Sequence, residues 1–294
     1  MALIKFDFHS TYLGRNIVAA AVVPVDKMDG DHRAKGRKGP YRTVYLLHGL
    51  FGSDADWYDR THVVQTAEAR DVVVIMPSGE DGLYLNKPEI EEWHGKFISE
   101  ELVDVTRDLL PLSRKREDTA LAGISIGAYT AAINGLVRPD RFGSIICLSG
   151  AFMRDRVIKA IESRSPRKKA YYERFFGDIE TVIGSEKDYF ELARRFGEDA
   201  SLERPKFYIA CGREDSLCAN NKGYAELLKK NGFDVTYHEA EIGGHEWPFW
   251  NAWIDCALDW FAPGEMRPST ADVDYSAITS LVPADQLKKQ EESD

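Results

Sequence analysis

The sequence feature that most constrains the fold of this chain is the pentapeptide Gly123-Ile124-Ser125-Ile126-Gly127. The apolar run 119–122 precedes it and helix-compatible residues 128–133 follow it, a pattern typical of a strand, a sharp turn and a helix. Such a turn exposes the serine hydroxyl, and the small flanking residues leave room for the returning backbone. The chain has 23 glycines, so the pentapeptide alone also fits an ordinary glycine-rich turn. The order of the other motifs favours Ser125 as a nucleophile.

A second strand signal lies upstream, where the apolar run 43–47 leads into His48, Gly49 and Leu50. In hydrolytic sites built around such a serine, one backbone N–H that binds the developing oxyanion follows the nucleophile. The other lies after an upstream strand. We therefore predict an oxyanion hole formed by the backbone N–H groups of Leu50 and Ile126. His48 precedes every candidate acid in the chain, and we interpret it as a buried histidine with satisfied hydrogen bonds.

An acid and a second histidine follow the serine in the chain. A predicted buried strand over 206–212 leads into a turn that contains Glu214 and Asp215, and His245 follows one further predicted strand. Open α/β sheets place their sites at the ends of such strands. The order Ser125, acid, His245 is the order found in α/β-hydrolases. Asp215 is the predicted acid because Asp is the commoner residue in this role, and Glu214 is the alternative.

Seven stretches occur in collinear order over most of residues 3–262 and carry a family resemblance. On these stretches the chain resembles the esterase D superfamily, and within it the tributyrin esterase or acetyl esterase branch. The resemblance implies an α/β-hydrolase fold, with a mostly parallel, twisted sheet of about eight strands, helices on both faces and a helical insertion. The stretches are YLLHGLFGSDADW (45–57), VVVIMPSG (72–79), FISEEL (97–102), LAGISIGAY (121–129), YYERFFGDIE (171–180), CGREDSL (211–217) and GFDVTYHEAEIGGHEWPFW (232–250).

The resemblance also implies an activity, that of a serine carboxylesterase acting on acetyl to butyryl esters through an acyl-enzyme. Phe51 and Trp57 follow the oxyanion strand closely, and we predict that they line the substrate pocket. One alternative on the same scaffold is an S-formylglutathione hydrolase, although that branch usually has a Tyr-Asp-His-Ser-Tyr context where this chain has Gly-Gly-His245-Glu-Trp. The other is a catalytically inactive fold that serves as a binding module.

The length of 294 residues fits one α/β-hydrolase domain, which we predict over 1–262. Residues 151–205 interrupt the strand rhythm with charged, helical sequence and predict a helical insertion over the sheet. Residues 263–294 form a predicted polar tail. The spacing of Ile98, Leu102, Val105 and Leu109 predicts a helix over 97–110, packed on the core by these side chains.

Composition and missing motifs limit the partners we expect. A net charge of −10 disfavours nucleic acid and anionic membrane surfaces as binding partners. The sequence contains no run of 18 apolar residues, so we predict no membrane span. The four cysteines lack metal-site spacing, which favours reduced thiols in a cytoplasmic protein. No P-loop or dinucleotide fingerprint is present, so we expect no cofactor. His245-Glu246 begins like a zinc-protease H-E-x-x-H motif, but Phe249 stands where the second histidine ligand is needed, so we expect no metal. The expected partners are a small-molecule ester and, in a homo-oligomer, further copies of the chain.

Overall fold

The computed structural model describes residues 1–25, 39–79, 84–163 and 165–263. Strands form where β-branched and other apolar residues run without interruption, as in the fully buried Val72–Pro77. The strands within the described ranges are β1 (Ala2–Ser10), β2 (Arg15–Val23), β3 (Arg42–Leu47), β4 (Val72–Pro77), β5 (Asn86–Lys87), β6 (Glu92–Trp93), β7 (Thr119–Ile124), β8 (Ser144–Leu148), β9 (Lys206–Gly212) and β10 (Val235–Ala240).

Eight of these strands form one sheet in the order β1-β2-β4-β3-β7-β8-β9-β10, and β5 pairs with β6 in a separate hairpin. The strands from β4 to β10 in this order are parallel, whereas β2 lies antiparallel to both β1 and β4. The chain moves from β3 to β4 on one side and later to β7 on the other, so the strand order reverses beside β3. Open α/β sheets bind ligands at the carboxyl edge near such a reversal.

Helices cover both faces of the sheet, and the strand residues alternate between two apolar cores. On β3, for example, Tyr45 and Leu47 lie in one core, while Val44 and Leu46 lie in the other. This architecture confirms the predicted α/β-hydrolase fold class. The α-helices of the described ranges are α1 (Asp56–Arg60), α2 (Val63–Ala69), α3 (His94–Lys96), α4 (Leu102–Leu109), α5 (Ile126–Val137), α6 (Arg154–Ile161), α7 (Pro166–Phe176), α8 (Tyr189–Glu198), α9 (Cys218–Lys230) and α10 (Trp247–Phe261).

The interval between β8 and β9 contains only helical elements and turns in its described part, namely α6, α7, a 3₁₀ turn at Ile179–Thr181 and α8. Helices α6 and α7 pack on each other, whereas α8 packs on α5 and α9. The helix α8 therefore packs with helices that cover the sheet, and the helical insertion over 151–205 stays a prediction. Residues 264–294 lie outside the described residues, so the domain boundary and the tail stay predictions.

The helix predicted over 97–110 is present, but its buried face differs from the predicted one. A π-helical turn at Phe97–Glu101 joins α3 to α4 and shifts the side chains that follow it. Phe97, Ile98, Leu102 and Val103 are fully buried, whereas Leu109 is 62% exposed. The prediction that Leu109 packs on the core was wrong. No helix of the described ranges is both long enough and apolar enough to span a bilayer.

Candidate active site

Ser125 lies on a sharp turn between β7 and α5, where its backbone is left-handed with φ 53° and ψ −118°. A non-glycine residue is seldom found with a positive φ, and such strain persists only where surrounding contacts hold it. Here the Ser125 N–H donates to Leu148 O at 3.0 Å, and Ser125 O accepts from the Ala151 N–H at 2.9 Å. The turn after β8 therefore holds this conformation in place, and the half-buried serine faces a cavity.

The two glycines of the pentapeptide are required by close backbone contacts. A Cβ at Gly123 would lie 2.5 Å from the Gly127 carbonyl carbon, and a Cβ at Gly127 would overlap the His48 carbonyl oxygen. The start of α5 can therefore approach the end of β3 only without side chains at these positions. This close approach brings Ser125 beside the loop that follows β3.

We expect Gly127→Ala to lower the free energy of unfolding by about 1–3 kcal/mol or more, because the added methyl group must displace the His48 carbonyl. Urea denaturation measures this change. The matched control is Gly223→Ala, since nothing lies within 4 Å of a Cβ at this exposed position of α9. The control should gain about 0.5–1 kcal/mol from helix propensity. Equal stability changes in the two variants would contradict the packing argument.

Three predicted side chains meet at the carboxyl edge of the sheet. His245 Nε2 lies 2.9 Å from Ser125 Oγ, and His245 Nδ1 lies 2.8 Å from Asp215 Oδ2. The serine follows β7, the aspartate follows β9 and the histidine follows β10, so three parallel strands position the set. The rings of Trp250 and His245 pack nearly perpendicular to each other, with 5.0 Å between centroids, and this contact supports the orientation of His245.

The environment of Asp215 determines which nitrogen of His245 carries the proton. Burial raises the pKa of the Asp215 carboxyl, but hydrogen bonds from His245 and the Leu217 N–H outweigh burial and hold the pKa below its usual value. The carboxylate is then ionised and can only accept hydrogen bonds. His245 therefore donates from Nδ1–H to Asp215, and its Nε2 accepts from the Ser125 hydroxyl.

Glu214, the alternative acid, is directed elsewhere. Its carboxylate accepts a hydrogen bond from the Gly243 N–H at 3.2 Å and is exposed to solvent. Gly243 lies two residues before His245, so Glu214 anchors the loop that carries the histidine. The structure thus brings Asp215, and not Glu214, to the imidazole.

The predicted oxyanion donors lie at the same cavity. Leu50 and Ile126 both line it, and within the described residues neither backbone N–H donates a hydrogen bond. The Gly79 N–H donates to His48 Nε2 at 2.8 Å, which leaves Nδ1–H of His48 to donate to the Gly49 carbonyl at 2.7 Å. Because the C=O and N–H of a trans peptide point in opposite directions, this contact also fixes the direction of the Leu50 N–H.

The cavity beside Ser125 has a volume of about 280 Å³, and most of its wall was not predicted from the sequence. Phe51 is 75% exposed to solvent, and Trp57 is fully buried in the core, where its Nε1–H donates to Leu47 O at 3.2 Å. Neither residue lines the cavity, which corrects the predicted substrate pocket. Besides Ser125, His245, Leu50 and Ile126, the lining residues are Ala151, Met153, Arg156, Tyr171, Phe175, Phe176, Ser216 and Leu217.

The aromatic residues of the segment 171–176 gave the one sequence signal for this wall, because an insertion over the sheet can shape a pocket.

Within the described residues, no group of three or more His, Cys, Asp or Glu side chains is arranged to hold a metal ion. The four cysteines, Cys147, Cys211, Cys218 and Cys256, are all free thiols.

Comparison with known proteins identifies the family. The model of the esterase family, described as "Putative esterase", matches residues 30–261. The chain belongs to this esterase family. It is also 37% identical over 264 residues to an acetyl esterase of Caldicellulosiruptor saccharolyticus, covering 89% of this chain and 98% of that protein. These matches confirm the resemblance to the acetyl esterase branch, and we conclude that the protein is a carboxylic ester hydrolase.

Solved structures of similar fold agree with the architecture of this esterase. An S-formylglutathione hydrolase from Staphylococcus aureus superposes with a TM-score of 0.72 at 24% identity, covering 89% of this chain and 98% of that one. An S-formylglutathione hydrolase from Agrobacterium tumefaciens gives a TM-score of 0.69 at 20% identity, with 88% and 94% covered. At these identities the likeness concerns the fold.

Proposed function

We propose that this esterase hydrolyses short-chain acyl esters, acetyl to butyryl, through an acyl-enzyme formed on Ser125. The observation that carries the proposal is the continuous hydrogen-bonded series of Asp215, His245 and Ser125 beside a small cavity. A serine hydroxyl is a weak nucleophile until a base accepts its proton, and the third group must orient that base. The two hydrogen bonds, His245 to Ser125 and His245 to Asp215, meet these two requirements.

In the proposed mechanism, Ser125 Oγ attacks the ester carbonyl while its proton passes to His245 Nε2. Asp215 stabilises the imidazolium that forms, and the N–H groups of Leu50 and Ile126 bind the oxyanion. His245 then donates its proton to the leaving alcohol, and the acyl group remains on Ser125. Water attacks the acyl-enzyme in the same manner, releases the acid and restores the serine.

The size and chemistry of the cavity support a short acyl group. Its volume of about 280 Å³ lies near the lower limit of ordinary small-molecule sites. Apolar side chains of Met153, Phe175 and Phe176 form part of its wall and suit an alkyl chain. The acetyl esterase relative points to the same acyl length.

We expect kcat/KM on 4-nitrophenyl esters to reach its maximum between two and four acyl carbons and to fall steeply beyond. Each methylene in an apolar pocket is worth about 1–3 kcal/mol until the chain meets a wall. Phe175→Leu removes part of that wall and should shift the maximum to longer chains. The matched control, Phe51→Leu, changes a solvent-exposed ring and should leave the profile unchanged. A wild-type maximum at eight or more carbons would contradict the short-acyl assignment.

A thioesterase acting on S-formylglutathione is the second candidate, supported by the fold of two solved relatives. A single panel separates the two candidates: 4-nitrophenyl acetate, acetylated sugars and S-formylglutathione, compared by kcat/KM. A higher kcat/KM on S-formylglutathione than on every oxoester would favour the thioesterase.

The free cysteines support the cytoplasmic location that we expect for either activity. A homo-oligomer remains a prediction.

A further inference from the structure

A second, larger groove lies between α6 and α7 and has a volume of about 860 Å³. Four of its nine lining residues are cations, and the lining as described contains no Asp or Glu. The chain as a whole carries a net charge of −10, so this surface has the opposite sign to the rest of the protein. The lining residues are Arg156, Lys159, Ala160, Ser165, Arg167, Lys168, Ala170, Tyr171 and Tyr172.

The four cations of this basic groove form no ion pair with a carboxylate of the described residues, although Arg156 donates a hydrogen bond to Met153 Sδ at 3.7 Å. Among the described residues, no carboxylate lies within ion-pair distance of Arg156, Lys159, Arg167 or Lys168. The neighbouring Lys169, by contrast, is paired with Glu180 at 2.6 Å and does not line the groove. Like charges brought together without counter-charges repel each other, and an anion bound among them removes that repulsion.

The basic groove adjoins the candidate active site. Arg156 and Tyr171 line both the groove and the cavity that contains Ser125 and His245. The rings of Tyr171 and Tyr172 stand edge to face at 5.1 Å between centroids and give the groove an apolar wall beside its charges. The groove is therefore the neighbouring space for a ligand that extends from the cavity on the side of Arg156 and Tyr171.

We propose that the basic groove binds an anionic group carried by the alcohol portion of the ester substrate. This proposal rests on the proposed esterase function, in which the small cavity holds a short acyl group. When the acyl group is short, any large part of the ester must belong to its alcohol, and the larger space next to the cavity is the groove. The preferred substrate is then an acyl ester of an alcohol or phenol that bears a carboxylate or a similar anion.

The test compares esters that differ only in charge. The anionic substrates are 4-acetoxybenzoate and the longer 4-(4-acetoxyphenyl)butanoate, and the corresponding primary amides are the neutral partners. We expect kcat/KM to be about five- to twentyfold higher for at least one anionic ester than for its amide, since each exposed ion pair contributes about two- to fivefold. Raising the salt concentration to 0.5 M should remove most of that preference, because salt screens exposed charges.

The variant Lys159→Gln/Lys168→Gln removes one cation from each wall of the groove without altering Ser125, Asp215 or His245. Its kcat/KM for the anionic ester should fall about three- to tenfold, while the value for the amide stays within twofold of the wild type. The control variant Lys222→Gln/Lys229→Gln removes the same charge from exposed positions of α9 and should change neither value. Competitive inhibition by 4-hydroxybenzoate should weaken only in the groove variant.

Three outcomes would overturn the proposal: no preference for either anionic ester, equal losses in the groove and control variants, or a preference only when the anion is on the acyl side. Mono-4-nitrophenyl succinate, compared with 4-nitrophenyl butyrate, tests the last of these. If one of these outcomes occurs and Ser125 is still required to hydrolyse the acetyl ester of the neutral compounds, the groove assignment fails but the proposed function stands. Hydrolysis of the same acetyl esters by the Ser125→Ala variant at the wild-type rate would instead contradict the proposed function.

Discussion

Replacing Ser125 with alanine is expected to lower kcat on 4-nitrophenyl acetate by a factor on the order of 10⁴–10⁶, because the substitution removes the atom that forms the acyl-enzyme. The expected loss is large because His245 and Asp215 act only through the Ser125 hydroxyl, which lies 2.9 Å from His245 Nε2. The fold should persist, since alanine retains the Cβ and adds no atom to the turn. Steady-state kinetics measure the loss of kcat, and the melting temperature shows whether the fold persists.

Ser216→Ala is the matched control, because Ser216 lines the same cavity and is exposed, and within the described residues its side chain forms no hydrogen bond with His245 or Asp215. It should keep kcat within a few fold of the wild type. If Ser125→Ala retained near-normal turnover with its fold intact, the nucleophile would have to be another residue.

Asp215→Asn is expected to lower kcat by a factor on the order of 10⁴ while leaving the shape of the site almost unchanged. An asparagine amide can donate to Nδ1 of His245, which favours the tautomer with a proton on Nε2. That tautomer cannot accept the proton of Ser125. The hydrogen bond from the Leu217 N–H to Oδ1, 2.8 Å long, can persist with the asparagine carbonyl, so the melting temperature should change little.

Glu214→Gln is the control for this prediction, since it neutralises the adjacent carboxylate in the same turn. The glutamine carbonyl can still accept from the Gly243 N–H, and we expect kcat to fall only a few fold. Kinetic analysis of the two variants side by side distinguishes the carboxylates. A larger loss of kcat for Glu214→Gln than for Asp215→Asn would show that Glu214, and not Asp215, is the catalytic acid.

The positions of Ser125, Asp215 and His245 could be predicted because each follows a strand that the sequence marks by an apolar run. The carboxyl ends of parallel strands lie at one edge of a sheet. Because each of the three residues follows such a strand, they are expected at that same edge. The choice between Glu214 and Asp215 was harder, because adjacent residues of a turn point in different directions. The sequence favoured Asp215 only on frequency, whereas the structure gives the 2.8 Å contact.

The roles of Phe51 and Trp57 could not be derived in the same manner. Both follow Leu50 closely, but closeness along the chain does not determine the direction of a side chain. Phe51 adopts a left-handed backbone with φ 63° and extends into solvent. Trp57 starts near the same loop yet packs edge to face on Trp247 within the core.

Two further features depend on tertiary structure that single-sequence patterns do not encode. The π-helical turn over Phe97–Glu101 displaces the apolar face of the following helix, so Leu109 becomes exposed. The cavity wall depends on how α6 and α7 fold over the sheet. Charged, helical sequence predicted the insertion, but the residues that line the cavity beside Ser125, among them Met153 and Phe175, became identifiable only from the structure.

The most direct test of the proposed function is covalent labelling with a fluorophosphonate probe, followed by mass spectrometry of the digested protein. The probe reacts with a serine whose hydroxyl has been activated by a neighbouring base. We predict that one serine is labelled, that it is Ser125, and that Ser125→Ala and Asp215→Asn strongly reduce the labelling rate. Labelling at a different serine, or equally fast labelling in the Asp215→Asn variant, would contradict the proposed catalytic arrangement.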